Sequence, residues 1–150
     1  MRIPASLLRS YRYRPYWLQK TELTRGKWYF ITKEKPWVGK GLRDGDEKPV
    51  TNISFLDVEK KLLSKLDKKW CLPTEAQWEY ACRSGLLSMF YWGTSLENMG
   101  KYSNIADRST EEESPTSITL EITEEGYGRL APVGSLLPNA YGLYDMLGNT

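Results

Sequence analysis

The residues of this chain that could carry out chemistry are limited by the absence of histidine and by the presence of only two cysteines, Cys71 and Cys82. Without imidazole, the sequence excludes Ser-His-Asp and Cys-His nucleophiles, HExxH metallopeptidase sites and two-His-one-carboxylate iron sites. Two thiols also cannot complete a tetrahedral zinc site, because that site needs four ligands. Any metal held by these residues is therefore expected to be a hard cation bound through oxygen atoms.

The charged side chains are distributed unevenly along the chain. Residues 1–48 carry 12 basic and 5 acidic side chains, whereas residues 86–150 carry 3 basic and 9 acidic ones. A basic start can contact phosphate groups, and an acidic end rich in Asn, Asp and Gly can bind calcium. The charge pattern alone does not choose between these partners.

The segment from residue 9 to residue 17 interleaves arginines with tyrosines and a tryptophan. Such a composition is typical of segments that bind and stack single-stranded nucleic acid. The same pattern fits a flexible basic lead-in, or an edge strand whose alternate aromatic residues pack inward. We favour the last two interpretations over nucleic-acid binding.

Two predicted helices must position any site in the chain. Ser54 and Asp57 form a capping-box pattern ahead of apolar residues at helical spacing, so we predict an amphipathic helix from about residue 54 to residue 66. Thr74 and Gln77 repeat the capping pattern, and Gly85 can end this second helix in the left-handed conformation. The buried face of the second helix is predicted to carry Trp78, Ala81 and Cys82.

Loops are predicted to make up most of the remaining chain. Residues 33–49 are rich in Gly, Pro and charge, and Trp37 is predicted to fix this loop to the core. After residue 85, Gly, Asn, Pro and Ser dominate, with one short alternating strand at residues 118–122. No apolar run approaches the ~20 residues needed to cross a bilayer, and no signal-peptide core is evident at the start. We therefore expect a cytoplasmic protein that does not enter a membrane.

Seven short motifs occur in the order in which they occur in one enzyme family. The two longest are L-P-T-E-A-Q-W-E-Y-A at residues 72–81 and P-N-A-Y-G-L-Y-D-M-L-G-N at residues 138–149. The others are at residues 22–24, 49–55, 92–93, 104–106 and 132–135. With these motifs the chain resembles the formylglycine-generating enzymes, also called sulfatase-modifying factors.

The resemblance implies an α/β (α+β) fold of the C-type-lectin-like type, with two helices, short strands and many loops. It extends over residues 16–150, so that residues 1–15 form the basic lead-in outside the domain. Because Thr150 lies inside the family's G-N-x-W-E-W motif, we expect the C-terminal part of the domain to be missing from this sequence.

Calcium is the cofactor that the resemblance implies for these residues, and its preference for six to eight oxygen ligands suits them. The first site is expected to consist of the Asn104 side chain, the Ile105 carbonyl, the Glu125 carboxylate and the Tyr127 carbonyl. The second site is expected to consist of Asp145 and the carbonyls of Gly148 and Thr150. Without the resemblance, Asn104 and Asp145 would be interpreted as residues that cap turns.

The family oxidises a cysteine of sulfatases to formylglycine with O2, using copper held by two cysteines downstream of the G-N-x-W-E-W motif. Neither Cys71 nor Cys82 matches that pair, so copper is expected only in a full-length form and this chain is expected to be an inactive fragment. A sulfatase or another protein substrate is the expected partner. The alternative is a non-catalytic, lectin-like binding module that uses its loops for recognition.

Overall fold

A computed structural model describes residues 1–3, 14–38, 45–105, 127 and 130–150. Strands β1 (Arg2–Ile3) and β2 (Tyr16–Trp17) form an antiparallel pair. The helices are α1 (Arg25–Thr32), α2 (Phe55–Asp57), α3 (Glu75–Arg83) and α4 (Met99–Tyr102). This mixture of helices and a small sheet agrees with the coarse α+β prediction. Most of the predicted basic lead-in and the predicted strand at residues 118–122 lie outside the described residues.

Helix α1 is an element that the sequence analysis did not predict. The Thr24 side chain caps it by accepting a hydrogen bond from the amide of Lys27, and Lys33 ends it in the left-handed conformation. Its start lies against residues 45–50, where the amide of Arg25 donates to the carbonyl of Lys48. A side chain at Gly26 would approach the Cβ of Asp46 to 3.1 Å, so the small residue allows this close packing.

The predicted helix at residues 54–66 is present but irregular. The Ser54–Asp57 capping box is formed as predicted, with the Ser54 hydroxyl accepting from the Asp57 amide. The chain then continues as a π-helical turn, Val58–Leu62, and a 3₁₀ turn, Leu63–Lys65. The predicted amphipathic helix is therefore confirmed, but not all of its turns are α-helical, because local apolar spacing does not distinguish these closely related turns.

Helix α3 has the capping box that the sequence predicts, and the side chains of Thr74 and Gln77 cap it reciprocally. It ends through Ser84 and Gly85, which are both left-handed. Ala81 and Cys82 are buried as predicted, but Trp78 is exposed. The prediction for Trp78 was wrong because this side chain faces a groove rather than the interior.

The apolar interior is divided into two clusters. The first cluster joins β1, α3 and the final loop through Ile3, Ala81, Cys82, Tyr91, Leu143 and Met146. The second cluster joins α1 to the 58–65 turns through Trp28, Trp37 and Leu62. The burial of Trp37 confirms that it fixes its loop to the core. Among the described residues, no helix is long and apolar enough to cross a membrane.

Candidate cation site

The final loop of the chain, residues 130–150, returns to two earlier segments through Asn149. This buried side chain donates a hydrogen bond to Glu22 Oε2 at 2.7 Å and accepts one from the amide of Ala131 at 2.8 Å. The Asn149 Oδ1 atom also accepts a hydrogen bond from Asn104 Nδ2 at 3.2 Å. The backbone N–H of Asn149 donates a hydrogen bond to the Asn104 carbonyl at 3.0 Å. Asn149 thus joins three segments that are far apart in sequence. The sequence analysis missed this role, although the residue lies in the longest C-terminal motif.

Gly148 allows the final loop to approach Asn104 closely. A Cβ at this position would lie 2.6 Å from the Asn104 carbonyl oxygen and 2.8 Å from Ser103 Oγ. Its φ of +107° is also a conformation that L side chains rarely adopt. Asn104, which is assigned to the first calcium site, and Gly148, which is assigned to the second, are therefore in contact.

Glu22 lies on one side of the region formed by Glu22, Asn104, Asp145, Asn149 and Thr150, which we call the corner. Its Oε1 accepts a hydrogen bond from Thr150 Oγ1 at 2.6 Å, so the side chain of Thr150 is tied to the E-L-T motif. Burial raises the pKa of Glu22, and the nearby Asp145 carboxylate raises it further, while the bonds from Thr150 and Asn149 oppose the shift. Two acidic groups in one partly buried corner favour a cation there.

Asp145 is the buried carboxylate of the site, and its backbone is left-handed at φ +56°. Its Oδ2 accepts a hydrogen bond from the Gly134 amide at 2.7 Å, whereas its buried Oδ1 has no hydrogen-bond partner among the described residues. Burial raises the pKa of Asp145, and the Gly134 amide opposes that shift. A buried carboxylate oxygen that lacks a donor fits a hard cation, because the ion would supply the missing positive charge.

The other predicted ligands differ in how the structure places them. Ile105 directly follows Asn104 and is half-buried, whereas Tyr127 is exposed and Glu125 lies outside the described residues. Thr150 is exposed, with its hydroxyl committed to Glu22. In the ranges that the structure describes, no three carboxylate or thiol side chains cluster as a metal-binding group. Backbone carbonyls would therefore have to provide several of the ligands around Asp145.

The two cysteines are free thiols in different environments. Cys82 belongs to the first core cluster, and its Sγ donates to the Met146 carbonyl at 3.6 Å. Burial raises the pKa of Cys82 to about 11, so this thiol stays protonated at neutral pH. Cys71 is exposed and lines the groove beside Trp78. The two thiols thus lie in different environments, one in the core and one at an exposed groove.

Comparison with known proteins identifies the family of the chain. The model of the sulfatase-modifying factor enzyme 1-like domain matches residues 7–150. The chain belongs to the sulfatase-modifying factor family. The seven motifs on which the resemblance was based lie within the matched region, and the Glu22, Asn104 and Asn149 contacts join three of them.

Individual members of the sulfatase-modifying factor family are similar to parts of the chain. The formylglycine-generating enzyme of Bos taurus is 45% identical over 80 residues, which are 52% of this chain and 20% of that protein. The formylglycine-generating enzyme of Thermomonospora curvata is 34% identical over 122 residues, 81% of this chain and 37% of that protein. A Mus musculus relative named inactive C-alpha-formylglycine-generating enzyme 2 is 32% identical over 119 residues, 74% of this chain and 33% of that protein. The chain thus spans between a fifth and about two fifths of the length of these relatives.

Proposed function

We propose that this protein takes part in converting a cysteine of a sulfatase-type protein substrate to formylglycine. The family match over residues 7–150 is the main support for this proposal. Relatives that are named formylglycine-generating enzymes support it as well. Within that reaction, these 150 residues serve as the scaffold that holds a cation at the Asp145 corner. They do not provide the redox metal.

The copper ligands of the reaction come from outside these residues. Neither cysteine matches the family's copper-binding pair, and Cys82 is also buried with a raised pKa, whereas Cys71 is exposed. No step of the oxidation is therefore assigned to a residue of this chain. The 150 residues by themselves are expected to be inactive.

Peptide oxidation tests this part of the proposal. The purified 150 residues are incubated with copper, O2 and a Cys-x-Pro-x-Arg peptide, and aldehyde is measured by mass spectrometry after trapping with a hydrazide. We expect no product above the level seen without protein, while the Thermomonospora curvata relative provides the positive control. Formation of aldehyde by the 150 residues, and its loss in the Cys71→Ser or Cys82→Ser variant, would overturn the proposed scaffold role.

Calcium is the cation proposed for the corner, with Asp145 and the carbonyls of Gly148 and Thr150 as ligands. The first predicted site, formed by Asn104, Ile105, Glu125 and Tyr127, is proposed on the family resemblance alone. The buried Asp145 Oδ1 supports the second site, because calcium would compensate the charge that burial leaves unscreened. The role of the ion is structural, since it would hold the final loop against its neighbours.

Thermal or urea unfolding in calcium tests the cation site. Calcium at about 100 times its dissociation constant should raise the free energy of unfolding by about 2.7 kcal/mol. The Asp145→Asn variant should lose most of this increase, whereas Asp67→Asn, a change at an exposed aspartate, should keep it. A calcium effect that is absent from the unmodified chain, or equal in both variants, contradicts the assignment.

A non-catalytic binding module is the second candidate function, and the similarity to the relative named inactive favours it. In that case the lectin-like fold would present its loops to a protein partner without oxidising it. Activity of the longest natural form of the protein distinguishes the two functions, because only the first produces formylglycine. The lectin-like fold, the boundary at residue 16 and a cytoplasmic location stay predictions, and the location can be checked by cell fractionation.

A further inference from the structure

The outward side of helix α1 carries aromatic rings among lysines. Tyr29 is 44% exposed and Phe30 is 76% exposed, while Lys27, Lys33 and Lys35 are exposed on the same stretch of chain. The solvent side of a surface helix is normally polar, so aromatic side chains exposed there together indicate a contact surface. We call the surface formed by Lys27, Tyr29, Phe30, Lys33 and Lys35 the basic aromatic face.

The lysines and the rings of this face contact one another. The Lys33 Nζ atom lies 5.1 Å from the centroid of the Phe30 ring and 5.9 Å from that of the Tyr29 ring. The Lys35 Nζ atom lies 5.1 Å from the Tyr29 centroid. Ammonium groups at these distances are attracted to the rings. Positive charge and apolar surface are therefore interleaved on this face rather than segregated.

Positive charge outweighs negative charge along this stretch of chain. Residues 25–38 contain one acidic residue, Glu34, and the Lys61 ammonium lies 2.8 Å from its carboxylate. In the part of the chain that the structure describes, no ion pair includes a lysine of the basic aromatic face. A further lysine, Lys65, reaches the C-terminal end of α1, where its Nζ lies 3.5 Å from the Thr32 carbonyl. The face thus presents a net positive charge to solvent.

An anionic partner matches this charge, and two classes of polyanion could provide it. Single-stranded nucleic acid binds by stacking its bases on aromatic rings beside a basic groove. Here, ammonium groups already lie against the rings of Tyr29 and Phe30. A membrane surface with anionic lipids suits the face better, because lysines contact the headgroups there while aromatic side chains enter the interface.

We propose that the basic aromatic face binds the surface of a membrane that contains anionic lipids. Lys27, Lys33 and Lys35 contact the headgroups, and Phe30 enters the interface between headgroups and acyl chains. The protein lies on the bilayer through this face and does not cross it. The proposal is independent of the oxidation proposed above, because neither cysteine and no proposed cation ligand belongs to the face.

Cosedimentation with vesicles tests the proposal. The 150-residue chain is mixed at low ionic strength with vesicles of phosphatidylcholine alone, or of phosphatidylcholine with about 30% phosphatidylserine. We expect about tenfold more protein on the phosphatidylserine vesicles, because three lysines face their anionic headgroups. The difference should disappear at about 1 M salt, where the screening length falls to about 3 Å.

Charge reversals locate the contact. Lys27→Glu and Lys35→Glu should each lower binding to phosphatidylserine vesicles at least about fivefold, because each removes a cation from the anionic surface. Lys101→Glu makes the same change of charge at an exposed lysine of α4 and should stay within about twofold. The Lys27→Glu change also completes a capping box with Thr24, so weaker binding of that variant does not reflect loss of α1.

Phe30→Ser tests the apolar contact. This variant should bind phosphatidylserine vesicles about tenfold more weakly, because it lacks the ring that leaves water at the interface. Leu87→Ser changes a side chain that is 90% exposed in the loop after α3, and binding should stay within about twofold. Circular dichroism establishes that the variants being compared are folded.

Three results would overturn the proposal. The first is binding to phosphatidylserine vesicles that is absent or equals binding to phosphatidylcholine vesicles. The second is equal weakening by Lys35→Glu and Lys101→Glu while both variants remain folded. The third is binding of single-stranded oligodeoxythymidine, but not of vesicles, that Lys35→Glu abolishes, since this result would assign the face to nucleic acid.

Discussion

At the residue scale, Asn139 links the end of α3 to the turn that follows residue 138. Its Nδ2 donates to the carbonyls of Ala81 and Cys82, at 2.8 and 3.1 Å. Its Oδ1 accepts from the amides of Tyr141 and Leu143, at 3.0 and 3.1 Å. One buried amide side chain therefore satisfies four backbone groups, two of which belong to the last turn of a helix.

Replacing Asn139 by alanine should lower the free energy of unfolding by roughly 2–4 kcal/mol, because buried amides and carbonyls lose their partners. Urea unfolding followed by circular dichroism measures the change. Asn98→Ala, where the side chain accepts a bond from the exposed Lys101, provides the control and should cost less than about 0.5 kcal/mol. Equal losses in the two variants would show that the Asn139 network does not stabilise the fold.

At the element scale, two short helices are defined by reciprocal caps rather than by length. The box at Ser54 and Asp57 begins the irregular helical segment, and the box at Thr74 and Gln77 begins α3. Helices this short are marginal on their own, so capping and packing must stabilise them. Their N-terminal caps are local in sequence, which is why the capping residues predict these helix starts correctly.

The Thr74→Ala substitution removes the cap of α3 and should lower the free energy of unfolding by about 1 kcal/mol. For a chain of this size, such a loss corresponds to a Tm decrease of roughly 2–4 °C. Thr74→Ser keeps the hydroxyl and should stay within a few tenths of a kcal/mol of the unmodified chain. If both variants melt alike and below the unmodified chain, the capping bond is not the cause.

Asp57 makes the stability of its helix depend on pH. Hydrogen bonds from Ser54 lower its pKa well below the usual range, and Lys61, at 3.0 Å, adds to the effect. A depressed folded-state pKa stabilises the fold above the unfolded value of about 3.9, and this contribution is lost as the pH falls toward the folded-state pKa.

The Asp57→Asn variant should therefore have a lower free energy of unfolding than the unmodified chain near neutral pH. The gap between these two free energies should narrow below about pH 4. Urea unfolding at several pH values checks this prediction. The gap should also shrink in high salt, because Lys61 contributes through an exposed ion pair. A gap that is constant from neutral pH to pH 3 would contradict the lowered pKa.

At the scale of the whole molecule, the final loop joins segments that lie more than a hundred residues apart. Asn149 and Thr150 contact Glu22, and Gly148 packs against Asn104. The proposed calcium ligand Asp145 and the acceptor Glu22 both line the groove that Trp78 faces. The corner and the groove are thus parts of one region.

Gly148→Ala should be more destabilising than Gly93→Ala. Both glycines have positive φ, +107° and +115°, so alanine would strain either backbone by roughly 1–2 kcal/mol. At Gly148 the Cβ would also meet backbone, at 2.6 Å, whereas no described residue lies within 4 Å of the same atom at Gly93. The difference should be roughly 1–3 kcal/mol by urea unfolding. Equal losses would mean that the Asn104 contact can relax without cost.

The sequence by itself determined the family, the two capping boxes, the burial of Trp37 and the residue types that exclude imidazole chemistry. These features are local, because a capping residue and its partner are three positions apart and a motif is read in order. Glu22, Asn104 and Asn149 each lie in a motif, but no periodicity shows that they touch.

Tertiary structure alone decided that Asn149 and Asn139 organise the final loop and that Trp78 faces a groove. It also decided that a buried oxygen of Asp145 has no donor in the part of the chain that the structure describes. Tertiary structure likewise decided that the predicted helix at residues 54–66 continues as π and 3₁₀ turns after Asp57. Each of these facts depends on which distant segments pack together. Burial and hydrogen-bond satisfaction are properties of that packing, so neighbouring residues along the chain do not encode them.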